Sequence, residues 1–388
     1  MKSKIAVIAD DITGAAEIAG IAHSYGLRTV LTTDVPDTIG GDADVIVIAT
    51  DTRSCTPEEA YSTTAAITRK IVKHFSDGTV DASQCAGNGN TLTLFHKTDS
   101  ALRGHVAEEL RAISEAYRGG IYLPANPSKG RIIRHGIYYV SDTPIHETAF
   151  RYDPEFPALT SNVHDRFPTL TIPDATCHDD IHDAVRHALT DGKVLAGAAD
   201  LFTALLEQLL PCSHRIPDAG DITLPSGTPA VIVLGSTQSK LPPIDVAVMA
   251  MPDDIFWQRT SQPWHPYIAE RQSVALTIGD KPILEGKSAA VRLRTTMAEA
   301  CCHILDSKAA QSPREDQWLI IEGGATAYAI LSRTQYRTFE IERQYAPGVV
   351  CMKSTDTPHR PTLYIILKPG SYPWRNSFTI PGDTSCCP

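Results

Sequence analysis

Long apolar runs are missing from this chain. No stretch of ~18 consecutive apolar residues occurs, so no membrane-spanning helix and no membrane partner are expected. Concentrated positive charge is missing too. The formal net charge is −10, which weighs against a nucleic-acid partner, because a phosphate backbone demands clustered Lys and Arg. The nine cysteines form no C-x-x-C pair. The adjacent pairs Cys301-Cys302 and Cys386-Cys387 are poorly spaced for zinc, so all nine read as reduced thiols. No G-x-S-x-G, H-E-x-x-H or Walker motif is present. The first strand is not followed by G-x-G-x-x-G, which argues against a dehydrogenase on the same layers. The beginning of the chain lacks the basic start and small-residue cleavage site of a signal peptide, so a cytoplasmic protein is expected. The lone histidines His135, His146 and His265 read as structural or surface residues.

What is present is a globular composition, 42% hydrophobic and 21% charged, over 388 residues. That length suggests two domains. Apolar runs at Lys4–Ala9, Leu27–Thr32, Asp44–Ala49, Thr91–His96 and Ile121–Leu123 predict strands buried on both faces. Between them the spacing predicts helices over Thr13–Tyr25, from Pro57, and over Gly104–Tyr117. The stretch from Pro124 to Pro168 breaks the pattern, and irregular loops with short β segments are expected there. Further strands are predicted at Leu170–Ile172 and Val194–Ala198, with helices around Ile181–Leu189 and over Leu201–Leu210. Pro211–Pro229, rich in Pro, Gly, Asp and Ser, is the expected linker. Beyond it, strands are predicted at Ala230–Leu234, Ser273–Ile278, Trp318–Ile321 and Leu363–Leu367, with an irregular tail from Ser371. The fold class is therefore α/β. An N-terminal doubly wound, mostly parallel sheet spans residues 1–222, and a smaller C-terminal α/β domain spans 223–388.

In open α/β sheets ligands bind at the carboxyl ends of the strands, and polar clusters stand at several of them. Asp10-Asp11, followed by Thr13 and Gly14, comes after the first strand. Two carboxylates there can hold a magnesium ion, accept hydroxyl hydrogen bonds or deprotonate an alcohol, although Asp11 or Thr13 can also be a plain helix cap. Arg53 follows the third strand as an anion fork. Lys97, Asp99, Ser100 and Arg103 follow the fourth and precede a helix, whose N-terminus adds N–H donors. Asn126 to Arg131, with Lys129 between, is placed to close over an anion. In the second block, Gly235 to Ser239 (Ser236 among them), Glu322 to Thr326, and Lys368 to Ser371 each follow a strand. Three such turns in one block point to a nucleotide site.

Taken in order, IAVIADDITGA, FHKTDSALRGHVAEEL, YLPANPSKGR, VLGSTQS, IIEGGATA, YAPGV and LKPGS resemble the four-carbon acid sugar kinase family over nearly the whole chain. The resemblance implies a sugar-acid-binding first domain, an ATP-binding second domain, and phosphorylation of threonate, erythronate or 3-oxo-tetronate with ATP and Mg²⁺. It implies that Asp10, Asp11, Lys97, Asp99 and Arg103 line the acceptor side. Thr13, Arg53, Ser100 and Arg131 join them as substrate-binding candidates, with Asp10, Asp11 and Asp99 as the catalytic carboxylates. Lys97 and Arg103 are expected to neutralise the substrate carboxylate. On the ATP side it implies Ser236, Gly323, Gly324, Ala325, Thr326 and Gly370, with Lys368 beside them. Two positions depart from the family pattern. Ala325 stands where an acidic residue is usual, and Pro373 or Trp374 where a glycine is usual. They motivate the alternative of a member that binds its ligands without phosphoryl transfer. No metal-ligating residue is assigned, and a homodimer is expected on base rates alone.

Overall fold

The computed structural model describes residues 4–34, 42–75, 92–153, 155–211, 214–225, 228–235, 246–267, 273–282, 284, 286–355, 359–370 and 378–379. The chain divides into two compact units, Met1–Ile216 and Pro217–Pro388.

The first unit opens with β1 (Lys4–Ala9), α1 (Ile12–Ser24), β2 (Thr29–Thr32), β3 (Val45–Ala49) and α2 (Pro57–Phe75). It continues with β4 (Leu92–Lys97), α3 (Val106–Ser114), β5 (Gly120–Leu123), and the short strands β6 (Arg131–Arg134), β7 (Ile137–Val140) and β8 (Thr143–Pro144). Then come α4 (Val163–Arg166), α5 (His178–Asp191), β9 (Val194–Gly197) and α6 (Ala199–Leu209). The main sheet has the order β2-β3-β1-β4-β9-β5, and every pairing in it is parallel. All five residues of β3 are buried, as an apolar run covered by helices on both faces requires. Asp11 caps α1 by accepting the Gly14 N–H at 2.9 Å. Small residues line the buried face of that helix, with Ala15, Ala16, Ala19 and Ala22 fully covered.

The irregular stretch after β5 holds β6, β7 and β8 as a separate antiparallel sheet. The strand expected at Leu170–Ile172 does not form. Thr171 makes a single bridge to Ile121, because Pro173 removes the next backbone donor.

The second unit runs β10 (Ile222–Thr223), β11 (Ala230–Leu234), β12 (Ala247–Ala250), α7 (Asp253–Phe256), β13 (Val274–Thr277) and α8 (Lys287–Gln311). It ends with β14 (Gln317–Glu322), α9 (Gly324–Leu331), β15 (Thr338–Ala346), β16 (Val349–Ser354), β17 (Leu363–Lys368) and β18 (Phe378–Thr379). Strands β12-β13-β11-β14-β17 are parallel, and β16 and β15 extend them antiparallel. The long α8 and the β15–β16 hairpin have no counterpart among the expected elements. Small Ala and Cys residues dilute the apolar stripe of α8, formed by Leu293, Met297, Cys301 and Ile304. No helix among the described residues is long and apolar enough to cross a membrane.

Candidate active site

In the first unit the strand order reverses at β1, with β3 on one side and β4 on the other. That is the switch point where an open α/β sheet leaves a crevice. The carboxyl ends of β1, β3 and β4 carry Asp10-Asp11, Asp51 to Arg53, and Thr98 to Arg103. Register alignment sets Ala9 beside Ala49 and Lys97, so sequence-distant clusters become one site.

Arg53 is its hub. Nε and Nη2 each donate to Asp10 at 2.8 Å. Nη2 also donates to Asp11 at 3.0 Å, and Nη1 lies 3.9 Å from Asp99. Planar guanidinium geometry makes this fork possible. Asp10 is fully buried, and burial pushes its carboxyl up to about 6 against the pull of Arg53. Burial would raise Asp11 as well, but Arg53 and Lys97 outweigh it and hold that carboxyl low. The Thr13 hydroxyl adds a short hydrogen bond to Asp11.

Asp99 accepts the N–H groups of Ala101 at 2.9 Å and Arg103 at 3.3 Å. It also accepts both arms of the Arg103 guanidinium, at 2.8 and 3.0 Å. Burial again opposes its ionisation, yet Arg53 and Arg103 hold the carboxyl far below the usual range. Arg103 also lies 3.6 Å from Asp153. Lys97 is buried, donates to the Thr98 carbonyl at 3.0 Å, and sits 3.7 Å from Glu17. The second oxygen of Glu17 takes Lys129 at 2.6 Å. Lys97 and Arg103, expected to meet a ligand carboxylate, are thus already matched by Glu17 and Asp99.

The turns that carry these groups are constrained. Gly104 has φ +95, and a Cβ there would stand 3.1 Å from the Asp10 carboxylate. Leu102 and Asp51 adopt left-handed backbone at φ 64 and 55, a strained state for residues other than glycine that concentrates at functional sites. Beneath the hub lies a layer that sequence reasoning missed. The fully buried His96 contacts Glu109 at 3.2 Å and the Ile8 carbonyl at 3.0 Å, and Thr52 donates a short hydrogen bond to Glu109. Burial would depress His96, but Glu109 outweighs it and raises the imidazole. Glu17 was missed as well. Its only sequence signal is its place one turn after Thr13 on α1.

A pH dependence follows. Protonated Asp10 contributes stability that is complete below its ordinary value of 3.8 and lost as pH rises through about 6. The melting temperature of wild type should therefore fall relative to that of Asp10→Asn between pH 4 and 7. The Asp10 charge also helps to raise His96, so the same comparison is repeated in a His96→Gln background. A difference that stays flat across this range contradicts the account.

In the second unit the strand order reverses at β11, between β13 and β14. Register pairs Leu234 with Glu322 and Glu322 with Lys368, which draws three turns together. Gly323 (φ +96) precedes α9 and donates its N–H to the Lys368 carbonyl at 2.9 Å. Thr326 is buried against Gly235, where a Cβ would fall 1.9 Å from its hydroxyl oxygen. A Cβ on Gly370 would lie 3.6 Å from the Gly323 Cα. Gly324 and Ala325 form the first turn of α9. Lys368 is buried, with its ammonium 3.5 Å from Glu322, and burial lowers its pKa. The wall of this cradle is backbone, which suits a phosphate. Ser236, Pro373 and Trp374 lie outside the described residues. Among the described residues no group of three or more His, Cys, Asp or Glu is placed to hold a metal ion.

The chain is similar to known proteins in sequence and in fold. The family described as "Sugar-binding N-terminal domain" matches residues 5–169, which contain the whole Arg53 cluster. A 3-oxo-tetronate kinase of Brucella melitensis is 32% identical over 41% of this chain, a match that spans 35% of that protein. A 3-oxo-tetronate kinase of Pectobacterium atrosepticum is 25% identical over 95% of this chain and 96% of its own length. A solved Haemophilus influenzae structure shares the fold at a TM-score of 0.64 and 18% identity, covering 96% of this chain and 98% of that one. Residues 5–169 of the chain thus match the family described as "Sugar-binding N-terminal domain", and the curated relatives the chain resembles carry the names of four-carbon sugar-acid kinases.

Proposed function

We propose that the chain is an ATP-dependent kinase acting on a four-carbon sugar acid such as 3-oxo-tetronate, threonate or erythronate. The observation that carries this reading is the meeting of Asp10, Asp11, Arg53, Lys97, Asp99 and Arg103 at one switch point inside the sugar-binding domain. Such a cluster offers Asp11 to a sugar hydroxyl, and it borders Arg131, a cation with no carboxylate at ion-pair distance among the described residues, for the acid.

The roles differ among the carboxylates. Asp10 is wholly buried with both oxygens on Arg53, so it positions the guanidinium and does not reach a ligand. Asp99 does the same for Arg103. Asp11 has the most exposed side chain of the three, and its ionised carboxylate orients the attacking hydroxyl. ATP is the co-substrate, its terminal phosphoryl group passing to that hydroxyl with release of ADP, and Mg²⁺ carried in with the ATP would offset the phosphate charge. Gly324, Ala325, Thr326 and Gly370 would hold the phosphates through backbone N–H groups, Gly323 would shape the turn with its own N–H on the Lys368 carbonyl, and Lys368 and, as the resemblance implies, Ser236 would join them. A second reading, ligand binding without transfer, is motivated by Ala325 at the start of α9.

A thermal-shift series tests the proposal, with threonate, erythronate and 3-oxo-tetronate against Mg-ATP, each alone and together. The kinase reading expects stabilisation by one acid and, separately, by Mg-ATP. Stabilisation by neither rejects it.

A further inference from the structure

Resting on the sugar-acid reading, we infer that Arg131 is the residue that recognises the substrate carboxylate and so selects acids over neutral sugars. The cations of the site are mostly spent. Arg53 carries Asp10 and Asp11, Arg103 carries Asp99 and Asp153, and Lys97 and Lys129 share Glu17. An incoming anion that recruited one of these would have to strip a partly buried carboxylate from its partner, at a cost that cancels most of the gain. Arg131 has no carboxylate within ion-pair distance among the described residues. Arg166 also lacks one, but its Nη1 and Nη2 donate to the Pro157 and Leu102 carbonyls at 3.2 and 2.9 Å, which makes it a strut for the turn.

Arg131 is instead pre-positioned. One of its nitrogens donates to the Ser100 hydroxyl, and its guanidinium lies over the Phe150 ring at 5.5 Å. Ser100 is itself anchored, because the Tyr138 hydroxyl donates to its carbonyl. The Arg131 backbone is pinned from both sides, with Asn126 N–H to Arg131 carbonyl at 2.7 Å and Arg131 N–H to Asn126 carbonyl at 3.1 Å. The Asn126 turn is tied down in turn by Ser128 on Asp200 and by Asn126 on the Asp200 N–H. A guanidinium has five donors in a planar fork, and the Ser100 hydroxyl takes one. The remainder match a carboxylate two-pronged, beside the Asp99–Arg103 turn where Ser100 sits.

The test is calorimetric binding of D-threonate and D-erythronate, and of their neutral counterparts threitol and erythritol, to wild type, Arg131→Lys and Arg131→Gln. Charged hydrogen bonds of this kind are worth ~10- to 100-fold in affinity. Arg131→Gln should lose that factor for the acid bound by wild type and change little for the neutral sugar. Arg131→Lys, a point charge without the fork, should recover part of the loss. Wild type that binds neither of these acids nor 3-oxo-tetronate, titrated in parallel, rejects the sugar-acid reading itself. Wild type that binds an acid which Arg131→Gln holds equally well, or equal losses for acid and neutral sugar, overturns the Arg131 assignment alone. If Arg131→Gln does not fold, the ratio of acid to neutral affinity in Arg131→Lys decides between the same outcomes.

Discussion

Replacing Asp99 with Ala should lower turnover by more than tenfold and destabilise the first unit at the same time. Asp99 holds both arms of Arg103 and stands 3.9 Å from Arg53. Its loss leaves two guanidinium groups facing each other without the charge between them. Removing one partner of a buried ion pair typically costs ~3–5 kcal/mol. Arg103 keeps about a third of its side chain in water, so solvent relieves part of this, and the lower end, ~3 kcal/mol, is expected. That corresponds to a fall in melting temperature of roughly 6–12 °C for a unit of this size. The turn from Asp99 to Arg103 also loses the acceptor for its Ala101 and Arg103 N–H groups, so Ser100 and Leu102 no longer keep their places. Asp99→Asn, which retains one acceptor oxygen, should fall between wild type and Asp99→Ala in both measurements. Near-normal turnover in Asp99→Ala would remove this residue from the site.

The second large effect lies in the other unit. Gly235→Ala should abolish most nucleotide affinity, by more than tenfold, and leave acid binding intact. A Cβ at residue 235 would fall 1.9 Å from the Thr326 hydroxyl oxygen and 2.8 Å from its Cβ. Thr326 is buried and β-branched, so it has no alternative rotamer space to yield. The start of α9 must move away from β11, which displaces Gly323 and Gly324. Overpacking of this kind costs ~1–3 kcal/mol. Calorimetry with Mg-ADP and, separately, with the sugar acid gives the two affinities. Unchanged Mg-ADP affinity would mean that the three turns do not form the nucleotide cradle, while a parallel loss of acid binding would point to global unfolding.

These two cases show what the residue pattern could and could not reveal. Continuous apolar runs such as Val45–Ala49 and Ala230–Leu234 were readable because strands covered on both faces carry no polar alternation to confuse them. The polar clusters at strand ends were readable for a related reason, since punctuation follows each run. Which charges meet was not readable. Arg53 reaches Asp10 across 43 positions because the sheet order places β3 beside β1, and nothing local in the sequence carries that order. For the same reason Lys97 and Arg103 looked available for a ligand, whereas Glu17 on α1 and Asp99 in the same turn already match them. The His96–Glu109–Thr52 layer lies wholly inside, where a histidine and a glutamate would not be expected without knowledge of each other. The helix α8 escaped because its buried face mixes alanine and cysteine with larger residues, so its period is faint.

The central claim, that the chain transfers phosphate from ATP to a four-carbon sugar acid, is tested most directly by the product. The protein is incubated with Mg-ATP and each stereoisomeric acid, with ADP followed by a coupled assay and the acid by mass spectrometry. The account predicts that one acid yields ADP and a phosphorylated acid in equal amounts. A folded protein that binds both ligands yet forms no phosphorylated acid from any member of the panel would contradict it.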